Sequence, residues 1–239
     1  MLRTTVKRAF RSVGLDLKHY KPSHSEDARF LAMLAAHGVD LVFDVGANAG
    51  QFGRRLRDSG YRGRIVSFEP LSAAWNELAM ACRADSLWDA APRGAIGSED
   101  GEIDIHVAGN SRSSSALNML DTLKQIAPET AYTGTERVAL RRLDSIAKDY
   151  LSSDSVPFLK MDTQGFESEV LKGAPELLKR VAGLNLELTL VPLYEGQLLF
   201  EEMFTGITAL GFEAWDFSPA FVDRQTGRLL QADVTFFRR

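Results

Sequence analysis

A glycine-rich turn between an apolar segment and a helical pattern constrains this chain most. The run Asp40-Leu-Val-Phe-Asp44 is followed by Gly46 and Gly50, and helical periodicity begins at residue 51. A short apolar run of this kind is typical of a parallel strand that is buried on both faces. Glycines in the turn let the backbone approach a ligand closely. The segment therefore predicts a strand, a turn and a helix that together bind a ligand.

Strand and helix signals alternate along most of the chain. Short apolar runs predict further strands at residues 65–68, 157–162 and 184–188. Helical periodicity predicts helices at residues 26–37, 51–59, 73–83, 143–150, 167–172 and 175–180. Strands that alternate with helices form parallel sheets with right-handed crossovers, so the chain is predicted to be an α/β protein. The last apolar segments, 213–217 and 233–237, predict an antiparallel hairpin.

The middle of the chain interrupts this alternation. Residues 95–96 and 103–107 predict two strands joined around an Asp100-Gly101 turn. Residues 109–135 are rich in Ser, Thr, Gly and Asn and predict a long mobile loop beside the site, because long loops in compact domains are usually functional or disordered. A brief strand is predicted at residues 138–140.

Composition limits the class of protein. The chain has 239 residues, is 45% hydrophobic and carries a formal net charge of −4, which argues against disorder and against nucleic acid as a partner. The single cysteine, Cys82, and four separated histidines exclude an intramolecular disulfide and a zinc site of ordinary spacing. Because no apolar run approaches the roughly 18 residues of a membrane span, we expect a cytoplasmic protein. The oligomeric state stays open.

The N-terminal stretch differs in charge from the rest of the chain. We predict a helical segment over residues 1–39 and one domain over residues 40–239, since a chain of this length can bury a single core. Residues 1–25 carry six Lys and Arg against one acidic residue, with apolar side chains at helical spacing. The stretch predicts either a helix packed on the domain or a contact of residues 1–20 with an anionic membrane surface.

Two acidic residues indicate the kind of ligand. Asp44 ends the first strand, and Glu69 ends the second, where an acidic side chain can accept both hydroxyls of a ribose. The turn lacks the Gly-x-Gly-x-x-Gly spacing of dinucleotide sites, and the charge of Asp44 would repel a pyrophosphate. A ligand with a ribose, a positive centre and no phosphate fits better, and S-adenosylmethionine has these features.

Several motifs resemble those of the FkbM-type S-adenosylmethionine-dependent methyltransferases, and they occur along the chain in the same order as in that family. They extend from about residue 40 to the C-terminus. The matching segments are Phe43-Asp-Val-Gly-Ala-Asn-Ala-Gly-Gln51, Val66-Ser-Phe-Glu-Pro70, Ala95-Ile-Gly-Ser-Glu-Asp-Gly101, Ser113-Ser-Ser115, Leu159-Lys-Met-Asp-Thr-Gln-Gly-Phe-Glu167 and Glu187.

The resemblance implies a Rossmann-like class I methyltransferase fold. Its sheet would have seven strands, mostly parallel with an antiparallel last strand, and helices on both faces. The implied reaction is methyl transfer to a hydroxyl, typically of a sugar or a secondary metabolite. The implied cofactor-binding residues are Asp44, Gly46, Asn48, Gly50, Glu69 and Pro70. Among them, Asp44 and the turn would hold the methionine part, Glu69 the ribose, and the neighbourhood of Pro70 the adenine.

Candidate catalytic residues lie at the carboxyl ends of the later strands, where open α/β sheets bind their ligands, and they are Lys160, Asp162, Gln164, Glu167 and Glu187. Asp162 is the first choice for a general base or a metal ligand, and Lys160 lies two residues earlier on the same strand face. A lysine in an apolar strand is costly to bury unless a carboxylate pairs with it. We therefore expect Lys160 to pair with a carboxylate, either as a structural ion pair or as part of the catalytic centre. Asp162 and Glu187 together predict a Mg²⁺ site with water and the acceptor hydroxyl completing the shell.

Two classes of function remain after the motifs. The first is an O-methyltransferase that acts on a small-molecule or glycan hydroxyl. The second is a catalytically inactive module that binds S-adenosylmethionine or another nucleotide. Acceptor recognition is predicted to involve residues 1–40, the segment 109–135 and aromatic side chains at Tyr194 and Trp215, because aromatic faces suit sugar rings.

Overall fold

The computed structural model describes residues 6, 8, 10–15 and 19–239. Its helices are Glu26–Ala36 (α1), Gln51–Ser59 (α2), Ser72–Cys82 (α3), Asp121–Ile126 (α4), Leu143–Ala147 (α5), Glu167–Lys172 (α6), Pro175–Leu178 (α7) and Phe200–Ala209 (α8). Its strands are Leu41–Val45 (β1), Arg64–Phe68 (β2), Trp88–Ala90 (β3), Ala95–Gly97 (β4), Gly101–Ala108 (β5), Tyr132–Arg142 (β6), Pro157–Met161 (β7), Gly183–Thr189 (β8), Phe212–Val222 (β9) and Leu229–Arg238 (β10).

The main sheet has seven strands in the order β3-β2-β1-β7-β8-β10-β9. Strands β3, β2, β1, β7 and β8 pair in parallel, and β10 runs antiparallel to both β8 and β9. The sheet is therefore mostly parallel with an antiparallel last strand, which confirms the class I methyltransferase fold and the C-terminal hairpin.

Apolar side chains cover both faces of this sheet. In β1, Phe43 packs into one hydrophobic cluster and Val42 into another, because successive side chains of a strand point to opposite faces. The cluster that contains Phe43 also takes side chains of α5 to α8, and the cluster that contains Val42 takes those of α1 to α3. The prediction of helices on both faces is confirmed, and the carboxyl ends of the strands are left open for a ligand.

A second sheet corrects the prediction for the middle of the chain. Its strand order is β4-β6-β5, so β6 lies between the two strands that were expected to form a hairpin. In the central strand β6, Leu140 pairs with Ala95 of β4 on one side and with Gly101 of β5 on the other. The predicted hairpin is wrong because β4 is too short to pair beyond the turn, whereas the longer β6 offers both of its edges.

The segment predicted as one long loop is largely structured. Residues 109–135 contain α4, the 3-10 turn Pro128–Thr130 and the start of β6, which spans 11 residues rather than the three expected. The first half of β6 is mainly solvent-exposed, so it carries polar residues and lacks the apolar signal of a buried strand. Strand β3 and helix α8 were also missed. Irregular backbone remains between residues 109 and 120.

The described residues of the N-terminal stretch are exposed. Val6, Phe10 and Val13 expose 42%, 38% and 70% of their surface, so these apolar side chains are not part of the domain core. The prediction of contact between residues 1–20 and a membrane partly lies outside the described residues, which omit 1–5, 7, 9 and 16–18. Within the described ranges, no helix has the length and apolarity needed to cross a membrane.

Two glycines predict opposite effects of adding a methyl group. A Cβ on Gly173 would overlap the carbonyl oxygen of Gly97 where α6 ends against β4, whereas Gly206 lies in the exposed middle of α8 with open space around it. We expect Gly173→Ala to destabilise the fold by about 2–3 kcal/mol through overpacking. Gly206→Ala should stabilise it by about 0.5–1 kcal/mol, because alanine favours the helix. Urea unfolding measures both, and equal effects would contradict the packing described here.

Candidate active site

A cavity of about 580 Å³ opens at the carboxyl ends of β1, β2, β7 and β8. Of the predicted cofactor-binding residues, Gly46, Asn48, Glu69 and Pro70 line it. All three predicted catalytic residues, Lys160, Asp162 and Glu187, line it as well. Asp44 and Gly50 do not belong to its lining.

The glycine turn is held against the end of β2. The backbone N–H groups of Gly46 and Ala47 both donate to the carbonyl of Phe68, at 3.1 and 3.0 Å. Gly46 has a φ of +77°, and a Cβ there would overlap the carbonyl oxygen of Asp162. The turn therefore lies directly beside the residue that follows β7, which brings the two halves of the predicted site together.

Glu69 is fixed by main-chain donors. Its Oε1 accepts from the backbone N–H of Leu71 at 2.9 Å, and its Oε2 accepts from that of Asn48 at 2.8 Å. Burial raises the pKa of Glu69 to about 7, although these two backbone hydrogen bonds act in the opposite direction. Each carboxylate oxygen has a second lone pair for a ligand, so the side chain is suited to accept two ribose hydroxyls.

Backbone strain is concentrated around this cavity. Among the described residues other than glycine, Asn48, Ser111 and Gln164 have positive φ, at 48°, 56° and 55°. All three line the cavity, and Asn48 Nδ2 donates to Ser111 Oγ at 3.2 Å. Such conformations cost about 1–3 kcal/mol each and occur preferentially at functional sites.

Asp44 and Lys160 form a buried ion pair beneath the cavity. The two residues are register partners in β1 and β7, with Lys160 Nζ 3.0 Å from Asp44 Oδ1. Asp44 is fully buried, its Oδ2 accepts from Ser67 Oγ at 3.1 Å, and the residue lies behind the cavity wall. The carboxylate supports the site through Lys160.

Lys160 connects this pair to the cavity. Its Nζ lies 3.8 Å from Asp162 Oδ2, which confirms that the two side chains share a strand face. Burial acts to lower the pKa of Lys160, but Asp44 and Asp162 outweigh it and raise the pKa above the ordinary value. Lys160 is therefore a permanent cation and not a proton acceptor.

Asp162 and Glu187 share one amide. Gln164 Nε2 donates to Asp162 Oδ1 at 2.7 Å and to Glu187 Oε2 at 3.3 Å. The amide oxygen of Gln164 accepts from the hydroxyl of Tyr194 at 2.9 Å, so the buried Tyr194 lies behind Gln164 and does not itself line the cavity. Burial, and then the charge of Asp162, raise the pKa of Glu187 well above its ordinary value. Asp162 keeps 45% of its side chain exposed and is the more accessible carboxylate.

The predicted Mg²⁺ pair does not fit a metal. Within residues 6, 8, 10–15 and 19–239, no group of three or more His, Cys, Asp or Glu is arranged to hold an ion. Glu187 is already bonded to the amides of Gln231 and Gln164, at 2.5 and 3.3 Å, and the ammonium of Lys160 faces Asp162. Three of the four oxygens of these carboxylates, Glu187 Oε2 and both oxygens of Asp162, face fixed donors, which leaves too few free ligands for the oxygen shell that Mg²⁺ requires.

Some residues at the cavity were missed and one prediction is wrong. Asn185, Gln231 and Asp233 line the wall beside Glu187, and their period-two spacing within β8 and β10 was the signal that could have revealed them. Trp215 does not lie at the cavity. Its ring packs against His37 and Phe237, with centroid distances of 4.5 and 5.4 Å.

Comparison with known proteins decides the family. The sequence model described as the methyltransferase FkbM domain matches residues 44–214, which is more than half of the chain. The chain belongs to the FkbM methyltransferase family. It is an S-adenosylmethionine-dependent methyltransferase, and the glycine turn and Glu69 fit that cofactor.

Individual relatives of this FkbM-family protein are distant. The 2-O-methyltransferase NoeI of Sinorhizobium fredii (strain NBRC 101917 / NGR234) is 26% identical over 171 residues, which cover 66% of this chain and 67% of NoeI. The O-methyltransferase TomG of Streptomyces achromogenes, solved with S-adenosylmethionine, has a TM-score of 0.47 at 11% identity, covering 99% of this chain and 89% of TomG. A methyltransferase of Mesorhizobium loti has a TM-score of 0.49 at 8% identity, covering 91% and 100%.

The buried ion pair predicts a large loss of stability when one partner is removed. Lys160→Met leaves the fully buried carboxylate of Asp44 without its cation and should cost about 3–5 kcal/mol. Adding Asp44→Asn to that variant should recover about 1–3 kcal/mol relative to the sum of the two single changes. The exposed Lys148→Met is the control, expected within about 0.5 kcal/mol of the parent. Chemical denaturation measures the free energy of unfolding of the two single variants, the double variant and the control. If the changes of the two single variants added up to that of the double variant, the two side chains would not stabilise each other.

Proposed function

We propose that this methyltransferase acts on a hydroxyl of a sugar, in a glycan or a glycosylated small molecule. The observation that carries the proposal is the juxtaposition of two carboxylates, Asp162 and Glu187, between the glycine turn and a polar wall of the same cavity. A hydroxyl is a poor nucleophile at neutral pH and benefits from a positioned base. The name of NoeI, a 2-O-methyltransferase, supports transfer of the methyl group to an oxygen atom.

In this proposal the cofactor occupies the side of the cavity formed by β1 and β2. Glu69 accepts hydrogen bonds from the ribose hydroxyls, while Pro70 and Leu71 provide the wall against adenine. The turn at Gly46 and Asn48 accommodates the methionine part. When bound, S-adenosylmethionine supplies an electrophilic methyl group on a positively charged sulfur.

Asp162 is the proposed general base. The acceptor oxygen forms a bond to the methyl carbon as the carbon–sulfur bond breaks. The electron pair of the broken bond stays on sulfur, and the hydroxyl proton passes to Asp162. The products are a methyl ether, S-adenosylhomocysteine and a proton on the carboxylate. Alignment of the reacting atoms can supply about 7–11 kcal/mol of the barrier. Lys160 helps to orient Asp162, because its ammonium lies 3.8 Å from the carboxylate.

Glu187 has a supporting role in this scheme. Its Oε2 already accepts from the amides of Gln164 and Gln231, whereas Asp162 keeps 45% of its side chain exposed and is the more accessible carboxylate for a reacting hydroxyl. Its fixed position beside Gln164 keeps Asp162 and the acceptor oriented.

Variants of the two carboxylates separate these roles. We expect Asp162→Asn to lower kcat by about 10²–10⁴-fold, the usual contribution of a general base. Glu187→Gln keeps an oxygen that can accept the hydrogen bond from Gln231, so we expect it to lower kcat by about tenfold or less. The assay follows labelled methyl from S-adenosylmethionine to p-nitrophenyl glycosides of common hexoses and pentoses, with the exposed Asp104→Asn as control. A greater loss in Glu187→Gln than in Asp162→Asn would reverse the assignment.

Cofactor affinity is predicted to depend on pH through Glu69. Its pKa of about 7 means that lowering the pH from 8 to 6 protonates the carboxyl and removes a hydroxyl acceptor. The dissociation constant of S-adenosylmethionine should therefore rise by about tenfold over that interval. Glu69→Gln should bind weakly at both values, while the exposed Glu176→Gln should follow the parent. Calorimetry with S-adenosylmethionine, S-adenosylhomocysteine and NAD is the measurement, and binding of NAD alone would contradict the assignment of the site.

A further inference from the structure

A stripe of polar side chains crosses the two strands beside the catalytic carboxylates. Strand β8 contributes Asn185, Glu187 and Thr189, and β10 contributes Gln231, Asp233 and Thr235. These are three cross-strand register pairs: Gln231 with Thr189, Asp233 with Glu187, and Thr235 with Asn185. The alternate residues of both strands are buried and apolar, such as Leu186 and Val234. The sheet therefore presents one continuous polar strip at its open end.

Most of the strip is internally hydrogen-bonded. Gln231 Nε2 donates to Glu187 Oε2 at 2.5 Å and to Thr189 Oγ1 at 3.2 Å, and Asn185 Nδ2 donates to Thr235 Oγ1 at 3.0 Å. Asp233 is different. Within the described ranges, its carboxylate forms no hydrogen bond or ion pair with another side chain, although it lies in the cavity wall opposite its register partner Glu187.

The burial of Asp233 makes this lack of partners informative. Burial, and next the charge of Asp162, raise the pKa of Asp233 to about 6, so the group is ionised at neutral pH. The carboxylate is half-buried and loses part of its hydration, and the nearby cations Lys160 and Arg55 offset this loss only in part. A ligand that brings hydroxyl donors into the cavity would restore that interaction, because an ionised carboxylate is purely a hydrogen-bond acceptor.

The location of Asp233 assigns it to the acceptor and not to the cofactor. The cofactor features, the glycine turn and Glu69, belong to β1 and β2, whereas β10 lies on the far side of β7 and β8. Asp162 and Glu187 lie between these two sides. The ring of Phe221 also lines the cavity, and apolar ring faces suit the carbon face of a sugar.

We propose that Asp233 accepts a hydrogen bond from the hydroxyl next to the one that is methylated, so that the acceptor is a sugar ring with two adjacent free hydroxyls. Asp233 is the register partner of Glu187, and such partners have Cβ atoms about 4.5–5.5 Å apart. The amide of Gln164 joins Glu187 to Asp162, so Asp233 lies close to the carboxylate that takes the proton of the reacting hydroxyl. Asp233 determines specificity in this scheme and takes no proton from the reacting oxygen. The inference rests on the proposed function and adds to it the arrangement of hydroxyls that the acceptor must carry.

The test compares matched acceptors and matched variants. The probes are p-nitrophenyl β-D-glucoside, β-D-galactoside, β-D-xyloside and α-L-rhamnoside, and the methylated position is determined for each glycoside that reacts. Each reactive glycoside is then compared with its deoxy analogue, which lacks the hydroxyl next to the methylated position. Both compounds are assayed with the parent protein, Asp233→Asn, Asp233→Ala and the control Asp104→Asn. A site built to bind a hydroxyl discriminates strongly against an analogue without it. The parent and the control should therefore prefer the full glycoside by at least about tenfold in kcat/KM, a difference of about 1.4 kcal/mol.

The expected result is that both Asp233 variants lose this preference. Their kcat/KM for the full glycoside falls to the level of the deoxy analogue, while their affinity for S-adenosylmethionine stays that of the parent and shows that they are folded. Equal rates of the parent on glycoside and deoxy analogue, or an unchanged preference in the variants, would overturn this inference and leave the proposed function intact. Transfer to none of the glycosides would overturn both.

Discussion

The ion pair between Asp44 and Lys160 organises the site. It joins β1 to β7 at the point where the two central strands end, with the carboxylate fully buried and the ammonium almost so. Two charges taken out of water are stable only if they stay together, which fixes these strand ends relative to each other. The glycine turn follows one strand and Asp162 the other. Together with the backbone pairing of β1 and β7 and the bond from Asp162 N–H to the carbonyl of Val45, this interaction sets their relative position, on which any methyl transfer depends.

The two sides of the cavity are built by different means. On the cofactor side, backbone N–H groups hold Glu69 and the turn, so the geometry depends little on side-chain rotamers. On the other side, side chains from β8 and β10 form the wall, and Asp233 keeps unused capacity for hydrogen bonds. If the proposed placement of cofactor and acceptor is correct, the cofactor is held mainly by backbone groups and the acceptor by side chains, so changes in a few residues would alter the acceptor.

Sequence patterns predicted the strands correctly where a strand is buried on both faces and is therefore a continuous apolar run. Strands β1, β2, β7 and β8 are continuous apolar runs, and the acidic residues after them, Glu69 and Asp162, fall at the cavity as expected. The exposed half of β6 and the three-residue β3 carry no such signal and were missed. The burial of Asp44 beneath the site depends on its pairing with Lys160 across two strands, and the position of Asp233 opposite Glu187 depends on strand register. Neither contact is local in sequence, so neither could be derived from spacing.

A crystal structure of the protein with S-adenosylhomocysteine tests the central claim most directly. The account predicts that both ribose hydroxyls lie within hydrogen-bond distance of Glu69, that the sulfur faces Asp162 and Glu187, and that the β10 side of the cavity stays open for an acceptor. A ligand whose ribose lies away from Glu69, or whose sulfur faces away from the two carboxylates, would contradict the account.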